Sequence, residues 1–108
     1  MSLLIKNGTI LTAASEFTGD IYIEGETIRQ IGTNLSVNVS RTIDASGKYV
    51  MPGGVDEHVH YGSFGGRLFE TAEAAAAGGT TTIVDFAPQE KGVPLLDAIR
   101  RQAAKAEH

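Results

Sequence analysis

Pro52-Gly53-Gly54-Val55-Asp56-Glu57-His58-Val59-His60 is the stretch whose reading decides the fold. Two of the three histidines in the 108 residues fall here, one residue apart. Side chains of an extended strand alternate between faces, so His58 and His60 point to one side, with Asp56 in the same row. Pro52, Gly53 and Gly54 delimit the start, and a glycine-rich loop, Tyr61-Gly62-Ser63-Phe64-Gly65-Gly66, follows at once. Two imidazoles at the end of a short apolar strand make a partial metal site. Spacing alone leaves a second reading open, in which the pair is a solvated part of an ordinary strand.

The residues that follow give the strand its context. Leu68 to Ala77 is rich in Ala, Leu and Glu, all good helix formers, and Gly78-Gly79 stops the run. Thr80 to Phe86 is β-branched and apolar, which predicts a strand buried on both faces. Ala87 to Val93 reads as loop, and Pro94 suits the first position of a second helix. On that helix Leu95, Ile99, Gln102 and Ala106 share a face, widened by Leu96, Ala98 and Ala103, while Arg100, Arg101 and Lys105 point outward. The order β-α-β-α over 55–106 predicts parallel strands joined through a helix, and such folds place their chemistry at the carboxyl ends of strands.

Upstream of Pro52 the periodicity is two rather than 3.6. Leu3 to Lys6 and Thr9 to Thr12 are apolar runs separated by Asn7-Gly8, a strong hairpin signal because both central residues of a type I′ turn need positive φ. Asp20 to Glu24 alternates, Gly25-Glu26 turns the chain, and Thr27 to Ile31 returns. Gly32 to Ser40 is polar and reads as loop. Arg41 to Asp44 and Lys48 to Met51 are further short strands about a Ser46-Gly47 turn. The fold class is therefore α/β with an N-terminal layer of short antiparallel strands over residues 1–51, followed by a β-α unit region over 52–108.

Composition narrows the function classes. The chain is 42% hydrophobic and 20% charged, which predicts an ordinary globular protein. A formal net charge of −4 favours neither nucleic acid nor an anionic membrane as partner. With no cysteine, a metal would have to rest on His and oxygen ligands. No apolar run is long enough to span a bilayer, and Met1 to Gly8 lacks the apolar core of a signal peptide, so a cytoplasmic location is expected.

Three stretches together resemble the N-terminal part of a dihydropyrimidinase or hydantoinase, within the metal-dependent amidohydrolase superfamily. Leu4 to Ile10, with Ile28 to Gly32, resembles the opening of that family's β-sandwich. Pro52 to His60 resembles its first barrel strand with the metal-binding His-x-His, and Ala75 to Phe86, with Lys91-Gly92, its first barrel helix and second strand. The resemblance implies a partial β-sandwich over 1–51 and the start of a (β/α)8 hydrolase barrel over 52–108. It implies zinc as cofactor, with His58 and His60 as two ligands of a two-metal site, and hydrolysis of a C–N bond in a small cyclic amide, a dihydropyrimidine or hydantoin ring.

Gly62 and Ser63 stand where the family pattern has an acidic residue, and the segment after His60 is shorter than usual. Phe64-Gly65-Gly66 keeps a family feature, which makes Phe64 a candidate substrate contact or, equally, a loop anchor. A complete barrel takes ~250 residues. The resemblance thus makes this chain an N-terminal piece, inactive alone, that forms homo-oligomers or associates with the missing part of the barrel. A non-catalytic scaffold related to hydantoinases, a small metal-binding module, an allantoinase and a dihydroorotase are the competing readings.

Overall fold

Ser2 to Leu11 forms one ten-residue strand, β1, in the computed structural model, which describes residues 1–60 and 70–106. It is the centre of a sheet that also contains β2 (Glu16–Glu24), β3 (Thr27–Gly32), β4 (Arg41–Asp44) and β5 (Tyr49–Val50). β2 pairs antiparallel with β1, and β3 antiparallel with β2. The other edge of β1 is filled in succession by β4 and β5, both parallel to it. This corrects the expectation of antiparallel strands throughout. After β3 the chain crosses through residues 33–40 to the far edge of β1, and that crossing sets the direction of β4.

A second correction concerns Asn7-Gly8, which is not a hairpin. It is a β-bulge inside β1: Ile5 pairs with Ile21 but Gly8 with Gly19, so β1 carries one extra residue. Asn7 takes the positive φ, at 61°, and a Cβ on Gly8 would lie 2.6 Å from Cγ2 of Val50. The bulge follows from the apolar pattern. Ile5 and Ile10 lie five positions apart, and an odd offset under period two would put them on opposite faces. The extra residue brings both onto the face that also holds Ile21 and Ile23. β3 repeats the device: Tyr22 pairs with Gln30 but Ile23 with Ile28, and the additional residue places Ile28 and Ile31 on that same face.

The bulge is held from outside the strand. Asp20 is 2% exposed, and its carboxylate accepts the backbone N–H of Asn7 at 2.9 Å and that of Leu35 at 2.8 Å. The Asn7 side-chain amide donates to Asp44 at 3.1 Å. Leu4, Ile10, Ile21, Leu35 and Ala45 form the buried apolar set of this unit.

The second compact unit runs from Gly53 onward. Its strands β6 (Gly54–Val59) and β7 (Thr80–Asp85) are parallel, with helix α1 (Glu70–Ala77) between them in sequence and α2 (Leu95–Ala104) after. α1 stops where Gly79 takes φ 92° and donates its N–H to Ala76 at 3.0 Å. Pro94 precedes α2 as its capping residue rather than occupying the first helical position.

Burial in this unit departs from expectation. Val84 and Ile83 are 53% and 38% exposed, so β7 is not covered on both faces. On α2 the buried pair is Ala98 and Gln102, while Leu95, Leu96 and Ile99 stay exposed. A two-stranded sheet offers too little surface to cover a helix face as broad as that one.

The Asp20 linkage makes a testable statement. The N–H of Asn7 is the largest influence on its carboxyl and holds it below the ordinary carboxylate value, against the opposing effect of burial; Leu35 and the Lys6 charge act in the same direction as Asn7. A depressed folded-state value means the contribution is complete above the unfolded value of about 4. It is lost as pH falls through the lower, folded value. Asp20→Ala leaves two backbone donors without their acceptor and lowers the melting temperature by roughly 5–10 °C. Asp20→Asn lowers it less and flattens the stability profile below about pH 4. Thermal melts from pH 7 down to about pH 3 check both.

Candidate metal centre

The carboxyl ends of β6 and β7 meet at His58, His60 and Phe86. A register shift between Asp56 and Val59, the interval that contains His58, gives β6 one extra residue. Beyond it Val59 pairs with Asp85, and the N–H of Phe86 reaches the carbonyl of Val59 at 3.3 Å. Bulges re-aim side chains at strand ends, and this one alters the expected row. The Asp56 carboxylate does not extend the line of imidazoles. It accepts the backbone N–H of His58 at 3.2 Å, a short-range turn in its own strand.

The structure brings the two imidazoles together. Their Nε2 atoms are 3.3 Å apart, and the ring centroids are 5.2 Å apart at an interplanar angle of 61°. Two nitrogens each ~2.0–2.1 Å from a tetrahedral zinc lie roughly 3.3–3.4 Å from one another. The donor spacing therefore fits a single tetrahedral cation held by both rings. Imidazole nitrogen also suits zinc chemically. Among the described residues no third His, Asp or Glu joins the pair. Among the described residues the pair thus offers two donors, fewer than the three that protein sites for catalytic zinc supply.

Phe86 is the site residue that sequence reasoning passed over. Its ring stacks on His60 at a centroid distance of 4.7 Å and 17°, and meets His58 at 4.6 Å and 45°. Parallel pairing puts residue 86 level with His60, but the bulge in β6 hides that register from a count along the sequence. The backbone under Phe86 is anchored by its neighbour. Asp85 accepts the Phe86 N–H at 2.9 Å and, through its other oxygen, the Gln102 amide of α2 at 2.5 Å. Gln102 in turn accepts from Lys105 at 3.0 Å. Phe64 lies outside the described residues.

No family model matches the chain. Individual proteins do. It is 47% identical over 112 residues to the D-hydantoinase of Geobacillus stearothermophilus, covering 98% of this chain and 24% of that one. The dihydropyrimidinase from Brevibacillus agri superposes with a TM-score of 0.89 at 40% identity, over 97% of this chain and 24% of that chain. The L-hydantoinase of Arthrobacter aurescens does so with a TM-score of 0.85 at 34% identity, over 96% and 24%. The chain spans about a quarter of the length of the relatives it matches.

The fold and sequence define an amidohydrolase-type chain: a β layer followed by parallel β-α units. More narrowly, the chain corresponds over nearly its whole length to an N-terminal part of the D-hydantoinases and dihydropyrimidinases it matches. No helix among the described residues is long and apolar enough to cross a membrane.

The anchor under Phe86 is testable by itself. Gln102 is 9% exposed and its amide meets a carboxylate, so Gln102→Leu removes a charge-assisted bond at constant bulk. The expected cost is about 1–2 kcal/mol in the stability of residues 53–106. Urea unfolding measures it, and faster hydrogen exchange at the Phe86 amide localises it.

Proposed function

We propose that this chain carries the metal-holding N-terminal part of a cyclic amidohydrolase that opens hydantoin or dihydropyrimidine rings. The observation that carries the reading is the 3.3 Å separation of the two Nε2 atoms at the carboxyl end of β6. It is supported by relatives named as hydantoinases and dihydropyrimidinases. In this reading residues 1–51 are part of a β-sandwich, and β6, α1, β7 and α2 are the first two units of a (β/α)8 barrel.

His58 and His60 would hold zinc through Nε2, as neutral imidazoles. Bound zinc supplies Lewis-acid polarisation of a ring carbonyl and a lower pKa for the attacking water. The chain's own part is to fix the angle between the two donors and to wall one side of the site with the Phe86 ring. Among the described residues no further His, Cys, Asp or Glu stands with the pair, so this reading assigns the remaining ligands, and the acid or base that delivers a proton to the leaving nitrogen, to residues beyond those described. The apolar side chains exposed on β7 and α2, among them Val84, Leu95 and Ile99, support association with further barrel strands or with other copies. The substrate is a small uncharged ring met in the cytoplasm, and a net charge of −4 supports the absence of nucleic-acid or membrane partners.

Two measurements test the reading. Zinc titrated into the 108-residue chain should bind weakly, and His58→Ala or His60→Ala should each lower the affinity by at least about tenfold. Unchanged binding in both variants would remove the site. The same zinc-loaded chain should show no turnover of hydantoin or dihydrouracil above background, because two imidazoles do not complete a catalytic zinc site. Turnover that vanishes in His58→Ala would show instead that this chain builds a working centre.

A further inference from the structure

Phe86 touches both rings of the histidine pair, and its geometry exceeds what filling space requires. The ring lies nearly parallel to His60, at 17°, and at 45° to His58. The two imidazoles are inclined at 61° to each other, so one flat face serves as a common reference for both. Aromatic contacts at centroid separations of 4.5–7 Å are attractive and orientation-dependent. Free imidazoles on a strand end would each rotate about χ1 and χ2, and the Nε2 atoms would converge only part of the time. Phe86 itself is 44% exposed, so no core depends on it. Its backbone is nevertheless fixed, through Asp85, to the amide of Gln102 on α2.

We propose that Phe86 is a positioning residue that sets the separation and angle of the two Nε2 donors, and so the metal affinity of the pair. The proposal deepens the reading of His58 and His60 as zinc ligands, and its metal arm rests on that reading. The physical basis is preorganisation. Rotamers restricted before binding need not be restricted by the metal. Residues that orient ligands without touching the metal contribute about ten- to a hundred-fold to affinity. A flat ring is required, because an aliphatic side chain of similar bulk offers no plane to stack against.

The test compares wild type with Phe86→Ala, Phe86→Leu and Phe86→Tyr in the 108-residue chain, each checked for fold by circular dichroism. Zinc affinity is read by titration. The metal-free pair is read by ring-to-ring NOEs and long-range 1H–15N spectra. The hydrogen bond between the two Nε2 atoms requires one ring to carry its proton there and the other to leave it bare. We expect distinct tautomers and ring contacts in wild type and Phe86→Tyr, with both lost in Phe86→Ala and Phe86→Leu. Zinc affinity should fall about tenfold in those two variants and be kept in Phe86→Tyr. If Phe86→Leu keeps wild-type affinity and tautomers, the ring only fills space and the proposal is overturned. It is overturned equally if wild type shows no contact between the two rings. If the metal-free pair behaves as expected but wild type binds no zinc, the zinc reading fails while the positioning role stands.

Discussion

The carboxylate of Asp20 is the constraint on which the N-terminal sheet depends. It lies in the middle of β2, yet its two bonds go to the bulge of β1 and to Leu35 in the long connection after β3. A nearly buried carboxylate is costly unless it is met by donors. Here the donors are the backbone groups that depart from regular strand pairing. The irregularities and the buried charge therefore satisfy one another. The bulge at Asn7 puts Ile10 on the apolar face, and the connection through Leu35 leads on to the far edge of β1. Asn7 is drawn in a second time through its side chain, by Asp44 at the end of β4.

The second unit rests on a different constraint, the parallel register of β6 and β7. Register decides which residue of one strand stands beside which residue of the other, and a shift of one would exchange the faces. With Val59 opposite Asp85, Phe86 is level with His60. The bulge between Asp56 and Val59 detaches Asp56 from the row, leaving an all-aromatic cluster of two imidazoles and one phenyl ring. Ion pairing among the described residues contributes little structure here. The ion pair between Arg100 and Asp97 spans one helical turn at 3.4 Å between exposed partners, where such pairs add only tenths of a kcal/mol.

The sequence made the strands of the second unit legible because each is punctuated. Pro52-Gly53-Gly54 opens β6, Gly78-Gly79 closes α1, and the β-branched run after it has no competing helical period. It misled at Asn7-Gly8, where the same positive-φ chemistry serves a hairpin or a bulge and only the pairing of Gly8 with Gly19 decides. The spacing of Ile5 and Ile10 carried the information, since five residues apart cannot share a face in a regular strand. The parallel entry of β4 and β5 was not legible, because strand direction depends on where a polar connection crosses. At the site, His58 and His60 could be read from their alternation. Phe86 could not, since its place follows from a register that a bulge offsets. The prediction of two covered faces on β7 took apolar composition as burial, and the exposed Val84 and Ile83 show that composition specifies only what a strand can cover.

The two-part edge beside β1 has a consequence for how the sheet assembles. β1 meets β2 across a short turn at Thr12 to Ser15, but meets β4 only when Arg41 returns to Leu3. Closing the longer loop costs about 2 kcal/mol more in chain entropy than closing the shorter one. The hairpin of β1 and β2 is thus the natural nucleus, and the parallel edge forms on a strand already in place. Ser2 and Ser40 seal that late arrival: Ser40 donates its hydroxyl to the carbonyl of Ser2 at 2.6 Å, and its N–H to the Ser2 hydroxyl at 2.9 Å. Non-local pairing of this kind slows folding. During that interval the open edge of β1 is the part of the molecule most available to the wrong neighbour.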